Sequence, residues 1–179
     1  VLLRGFAKYP SIPTMPELFK LNPAAIANYP MYKGLAKLVG MGILPVGAEI
    51  PDLFDTLEKH YKDFDFFYIH VKKTDSAGED GDYDRKVAVI EQTDVFIPRL
   101  IGLNPDVIAV TSDHSTPCLL KGHSWHPNPF MLRARTAMPD EVGAFTERNC
   151  SRGYFGRFQS LYVMPLMLAH AEKLKKYGA

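Results

Sequence analysis

Asp113 and His114 stand side by side, His123 follows nine positions later with His126 just beyond it, and Asp75 and Glu79 lie upstream in an acidic, glycine-bearing stretch. Carboxylate oxygen combined with imidazole nitrogen suits manganese, zinc or iron better than calcium, which prefers oxygen alone. Being adjacent, Asp113 and His114 can reach two different ions or opposite sides of one. Paired divalent ions can activate one oxygen and stabilise the leaving one during in-line phosphoryl transfer. Metal-assisted phosphoryl transfer is therefore the chemistry these residue types suggest.

Each part also has a plainer reading. Asp75 and Glu79, flanked by Gly78 and Gly81, taken alone read as solvated turn residues, and an Asp-His pair after a strand commonly caps a helix. His126, between Trp125 and Pro127, is evenly balanced between ligand and structural residue, while His60, His70 and His170 read as structural or surface groups. Two acidic strand ends followed by clustered histidines tip the balance toward a metal site.

The elements that must position these residues alternate. Val1-Leu2-Leu3 and Ala24–Ala27 read as short buried strands, separated by an extended loop carrying Pro10, Pro13 and Pro16. A short helix is expected over 32–39 and a stronger one over 51–62, where Pro51 suits the first turn and Leu53, Phe54, Leu57 and Tyr61 fall at helical spacing. Residues 66–71 are aromatic and β-branched and give the clearest strand, followed by a polar loop over 72–82. A helix over 84–96 breaks at Pro98, a strand over 106–110 runs into Asp113-His114, 130–134 is a further strand, and 160–175 a closing helix. This alternation predicts an α/β fold with a largely parallel sheet flanked by helices. Ligands bind beyond the carboxyl ends of such strands. The two acidic loops would then share an edge if their strands, 66–71 and 106–110, are parallel neighbours.

At 179 residues the chain is long enough for one domain with its own core, and nothing resembling an interdomain linker divides it. A net charge of +1 argues against nucleic acid or an anionic membrane as partner, and charged residues interrupt every apolar run before it reaches membrane-spanning length. Cys118 and Cys150 lack Cys-x-x-Cys spacing, which argues against a thiolate zinc site or a disulfide framework. Val1-Leu2-Leu3 gives way at once to Arg4 and Gly5, without the apolar stretch of a secretory leader, so the cytoplasm is the expected location.

The segment from Ile69 through Lys72-Lys73-Thr74-Asp75-Ser76-Ala77-Gly78-Glu79, with Thr111-Ser112-Asp113-His114-Ser115-Thr116-Pro117 and His123-Ser124-Trp125-His126-Pro127-Asn128-Pro129, closely resembles cofactor-independent phosphoglycerate mutases of the archaeal type. Val1 to Gly5, Ala24 to Asn28 and Lys33-Gly34 are similar to that family too, so the resemblance covers nearly the whole chain. It implies an alkaline-phosphatase-like core and interconversion of 3-phosphoglycerate and 2-phosphoglycerate, in glycolysis and gluconeogenesis, through two divalent metals and a phosphoserine. By position, Asp75, Glu79 and His123 match the ligands of one ion, and Asp113 and His114 those of the other. Glu79 stands where many relatives have His, a harder donor that favours Mn²⁺, with Mg²⁺, Zn²⁺ or Co²⁺ as the other candidates. Arg4 resembles an arginine that clamps the substrate's phosphate or carboxylate, and Lys33 a lysine that neutralises charge between metals and phosphoryl group.

The family's serine nucleophile, its first metal-binding Asp and its inserted substrate domain find no match here; Ser112, Ser115 and Ser124 lack the nucleophile's context. The expectation is therefore a C-terminal portion of the metal-binding domain of a parent chain at least about twice as long, inactive alone, with phosphoglycerate as small-molecule substrate. A metal-dependent phosphomonoesterase, a phosphopentomutase-like enzyme and a non-catalytic domain with a vestigial site are the alternatives. The sequence leaves oligomeric state open.

Overall fold

A computed structural model describes residue 8 and residues 10–174; the opening strand expected at Val1-Leu2-Leu3, and Arg4, lie outside them. In chain order the helices and strands are α1 (Met15–Phe19), β1 (Pro23–Ile26), α2 (Pro30–Leu38), β2 (Gly42–Ile43), α3 (Ile50–His60), β3 (Phe66–Ile69), α4 (Lys73–Asp80), α5 (Tyr83–Asp94), α6 (Ile97–Gly102), β4 (Val107–Val110), β5 (Met131–Ala134), α7 (Glu147–Cys150) and α8 (Val163–His170). Contacts divide them into two compact units: residues up to Lys73 with Ile90–Leu103, and Thr74–Val89 with the residues from Asn104 onward.

The first unit is built on a parallel sheet in the order β2-β1-β3. β1 is its middle strand, with Ala25 level with Ile43 on one side and Tyr68 on the other. Ala24, Ala25 and Ile26 are fully buried, as a strand covered on both faces requires, which is why this run is apolar without alternation. α3 presents Leu53, Phe54 and Leu57 to the core and packs on β1, while Phe54 stacks on Phe96 with ring centroids 5.0 Å apart. The expected proline loop ends early: Thr14 and Glu17 form a capping box that starts α1, and Pro16 sits in its first turn, where no amide donor is needed.

Arg99 ties α6 to α3. Its Nε donates to Glu58 at 2.7 Å and its Nη2 to Asp55 at 2.7 Å. The hydrogen bond from Arg99 holds the Glu58 carboxyl below its usual range, so the pair stabilises the fold above the ordinary Glu pKa and that contribution is lost as pH falls through the lowered value. Arg99→Ala is expected to lower the urea midpoint slightly at neutral pH, with the difference from wild type vanishing in acid and shrinking in high salt. Urea titrations at two pH values and two salt concentrations check this.

In the second unit β4 and β5 form an antiparallel ladder from Val107–Ala134 to Val110–Met131, and α8 packs against β4. β3 pairs with β1 and β4 with β5, so among the described residues the condition for a shared edge, β3 and β4 as parallel neighbours, is not met; Met131–Ala134 supplies β4's ladder. The closing helix is shorter than 160–175: a 3₁₀ turn over Ser160–Tyr162 leads into α8, which stops at His170, and Glu172 then adopts a left-handed φ of 57°. Thr136 donates to the His170 carbonyl at 3.0 Å and so satisfies an acceptor at the helix end. Among the described residues no helix is long and apolar enough to cross a membrane.

Candidate metal centre

The segment expected as a polar loop over 72–82 is largely the helix α4. Its glycines mislead. Gly81, at φ 76°, is the left-handed residue that ends the helix: its amide donates to the Gly78 carbonyl at 3.0 Å and the Asp82 amide to the Ala77 carbonyl at 2.9 Å. These two bonds form a Schellman closure. Asp82 then accepts from the Arg85 amide at 3.0 Å and so caps α5. Gly78 has a different task, since a Cβ there would lie 2.3 Å from the Thr116 carbonyl oxygen. It is glycine because the 111–130 loop runs against the helix at that point.

The consequence is chemical. In a helix, residues four apart share a face, so Asp75 and Glu79 converge without any loop closure. His123 Nε2 lies 3.5 Å from Asp75 Oδ1 and 3.6 Å from Glu79 Oε1. His123 is set there by the long connection between β4 and β5, which is cross-tied. An isolated antiparallel bridge joins Ser115 to Ser124, with the Ser124 amide donating to the Ser115 carbonyl at 2.9 Å. Thr111 donates to the Pro129 carbonyl at 2.9 Å, and Asn128 Nδ2 to the Ser112 carbonyl at 3.0 Å. Alternation about that bridge turns Ser115 and Ser124 to one side and His114, Thr116 and His123 to the other.

On that second side the His114 and His123 rings stack with centroids 3.7 Å apart. One ligand atom each from Asp75, His114 and His123 can be chosen so that all lie within 4.8 Å of one another. His114 Nδ1 is 3.9 Å from Asp75 Oδ1, and its Nε2 is 3.5 Å from Asp113 Oδ2. Asp75 is the most sheltered of the carboxylates, at 15% exposure against 49% for Glu79 and 45% for Asp113. A gathering of carboxylate oxygens and imidazole nitrogens at this spacing fits a divalent ion of borderline hardness.

Of the five residues expected as metal ligands, Asp75, His114 and His123 form the cluster; Glu79 borders it through His123 at 3.6 Å and Asp113 through its chain neighbour His114 at 3.5 Å. Lys33 lies half-buried on α2 of the first unit. His126 pairs through Nδ1 with Ser124 Oγ at 2.8 Å and stacks on Trp125, outside the cluster. Ser115 donates to Asn128 Oδ1 at 3.0 Å. Two neighbours escaped the sequence reading. Thr116 is buried and donates to Asp75 Oδ1 at 2.5 Å, and Lys86 Nζ donates to the Thr116 carbonyl at 2.6 Å. Thr116 stands two places after His114, the spacing that shares a side in extended chain, and that was its one visible signal.

An α/β fold carrying such a donor cluster is consistent with a metal-binding protein, and the chain belongs to the metalloenzyme superfamily, whose pattern matches residues 2–170. It is 55% identical over 178 residues to a Thermosipho africanus protein named probable 2,3-bisphosphoglycerate-independent phosphoglycerate mutase, covering 99% of this chain and 44% of that one. A Thermus thermophilus protein of the same name is 53% identical over 181 residues, covering 99% of this chain and 45% of its own. Among solved structures, a Pyrococcus horikoshii protein superposes with a TM-score of 0.93 at 29% identity, over 98% of this chain and 57% of that one. The cofactor-independent phosphoglycerate mutase of Thermoplasma acidophilum superposes with a TM-score of 0.73 at 25% identity, over 90% of this chain and 40% of its own. The chain thus spans under half the length of the curated relatives described.

Proposed function

We propose that this chain is the C-terminal, metal-binding portion of a cofactor-independent phosphoglycerate mutase, which interconverts 3-phosphoglycerate and 2-phosphoglycerate. The observation that carries the reading is the position of His123 Nε2 against two carboxylates four residues apart on α4, with His114 and Asp113 beside them. Asp75, Glu79 and His123 hold one divalent ion; Asp113 and His114 contribute to a second. Ligands of paired ions about 4 Å apart must themselves be near neighbours, and the grouping of Asp75, His114 and His123, with one ligand atom each within 4.8 Å of the others, supports that arrangement. Bound there, the ions would supply Lewis-acid stabilisation of phosphoryl charge and activation of an oxygen nucleophile.

This chain's own residues orient and hold. α4 fixes two carboxylates on one face and the Ser115–Ser124 bridge fixes both imidazoles opposite them; by family resemblance alone, Arg4 would clamp the substrate's phosphate or carboxylate and Lys33 would neutralise charge between metals and phosphoryl group. The serine that accepts the phosphoryl group belongs to another segment of the parent protein. Mn²⁺ is the proposed metal, the site is cytoplasmic, and the isolated chain does not turn over phosphoglycerate.

A chimera tests this. The 179 residues replace the matching segment of the Thermosipho africanus relative, and 2-phosphoglycerate formation is assayed with Mn²⁺. Retained mutase turnover is expected, with Asp113→Ala in the chimera lowering it by more than about 100-fold. A folded, Mn²⁺-binding chimera that hydrolyses phosphate monoesters without forming 2-phosphoglycerate would overturn the mutase reading in favour of a phosphatase.

A further inference from the structure

Thr116 is 4% exposed, and its hydroxyl meets two members of the cluster at once: it donates to Asp75 Oδ1 at 2.5 Å and lies 3.1 Å from His114 Nδ1. A hydroxyl has a single proton and lone pairs to spare, whereas an ionised carboxylate only accepts. With the proton committed to Asp75, Thr116 Oγ1 can meet His114 only as an acceptor, so His114 Nδ1 must carry a hydrogen. In a neutral imidazole that leaves the lone pair on Nε2, the nitrogen 3.5 Å from Asp113 Oδ2.

We infer that Thr116 is a positioning residue that holds His114 in its Nδ1–H tautomer and thereby assigns the donors: Nε2 of His114 serves beside Asp113, while Asp75, tethered by the same hydroxyl, serves with His123 and Glu79. The inference deepens the metal-site reading and rests on it for the role of the donors, though not for the tautomer. Thr116 can do this because its own place is fixed from three sides. Its carbonyl accepts from Lys86 Nζ at 2.6 Å, Gly78 lets α4 approach that carbonyl, and the Ser115–Ser124 bridge sets its backbone one residue earlier. A hydroxyl is the smallest group able to donate one way and accept the other. Valine matches threonine in shape and offers neither, while serine offers both.

Long-range ¹⁵N–¹H correlation spectra of the metal-free protein near neutral pH read the tautomer of His114 directly. The Nδ1–H form is expected in wild type and in Thr116→Ser, and a mixture or the Nε2–H form in Thr116→Val. Calorimetric titration with Mn²⁺ is expected to show affinity lowered about 10- to 100-fold in Thr116→Val and restored in Thr116→Ser. His114 in the Nε2–H form in wild type, or Thr116→Val with wild-type tautomer and affinity, would overturn the inference. If Thr116→Val does not fold, the wild-type spectrum and the serine variant decide. If wild type takes up no Mn²⁺, the metal reading falls while the tautomer still tests the role of Thr116.

Discussion

Gly78→Ala is expected to destabilise the protein by about 1–3 kcal/mol, seen as a lower urea midpoint with an unchanged slope. The added methyl would sit 2.3 Å from the Thr116 carbonyl oxygen and 3.0 Å from its Cγ2, and the carbonyl is a main-chain atom held by Lys86. Neither the helix nor the loop can yield without moving Asp75 relative to His114 and His123. The control is Gly34→Ala on α2, where the new methyl meets nothing within 4 Å. Alanine there only removes backbone freedom from the unfolded chain and should be neutral or stabilise by about 0.5–1 kcal/mol. Opposite signs for one chemical change on two helices would show that packing against the loop, and not helix propensity, decides the residue at 78. Destabilisation of similar size at both positions would contradict this account.

Asp75→Asn should abolish the stabilisation that Mn²⁺ confers on wild type. A ligand that binds only the folded state at 100 times its Kd raises stability by about 2.7 kcal/mol. The amide keeps the shape of the carboxylate but loses its charge, and its oxygen is a far poorer partner for a divalent ion. Asn can still accept from the Thr116 hydroxyl through its carbonyl oxygen, so the local packing has reason to survive. The expected result is a metal-free variant close to wild type whose melting temperature no longer responds to Mn²⁺. A variant that still gains wild-type stabilisation would remove Asp75 from the ligand set.

How far the sequence reaches is shown by particular residues. β1, β3 and β4 were legible because apolar runs bounded by polar residues have few other uses, and α3 because Pro51 and the Leu53, Phe54, Leu57 spacing agree. Asp113, His114 and His123 were legible because rare residue types recur close together after a strand. α4 was misread for a physical reason: of its neighbouring glycines, Gly81 ends the helix but Gly78 serves a tertiary contact, and local sequence cannot distinguish these tasks. The partner of β4 was hidden likewise, since choosing β5 depends on a ladder across a long loop. Thr116 was passed over because threonine is common and its double hydrogen bond exists only once the helix, loop and histidine are assembled.

The most direct test of the metal centre is calorimetric titration of Mn²⁺ into the wild-type protein, Asp75→Ala and Asp113→Ala. Saturable binding to wild type is expected, weakened by more than about 100-fold in Asp75→Ala, which removes a donor of the three-ligand ion, whereas Asp113→Ala removes a donor of the second ion and alters only the part of the titration that this ion contributes. Dilution heats alone in wild type, or binding unaltered in both variants, would contradict this assignment.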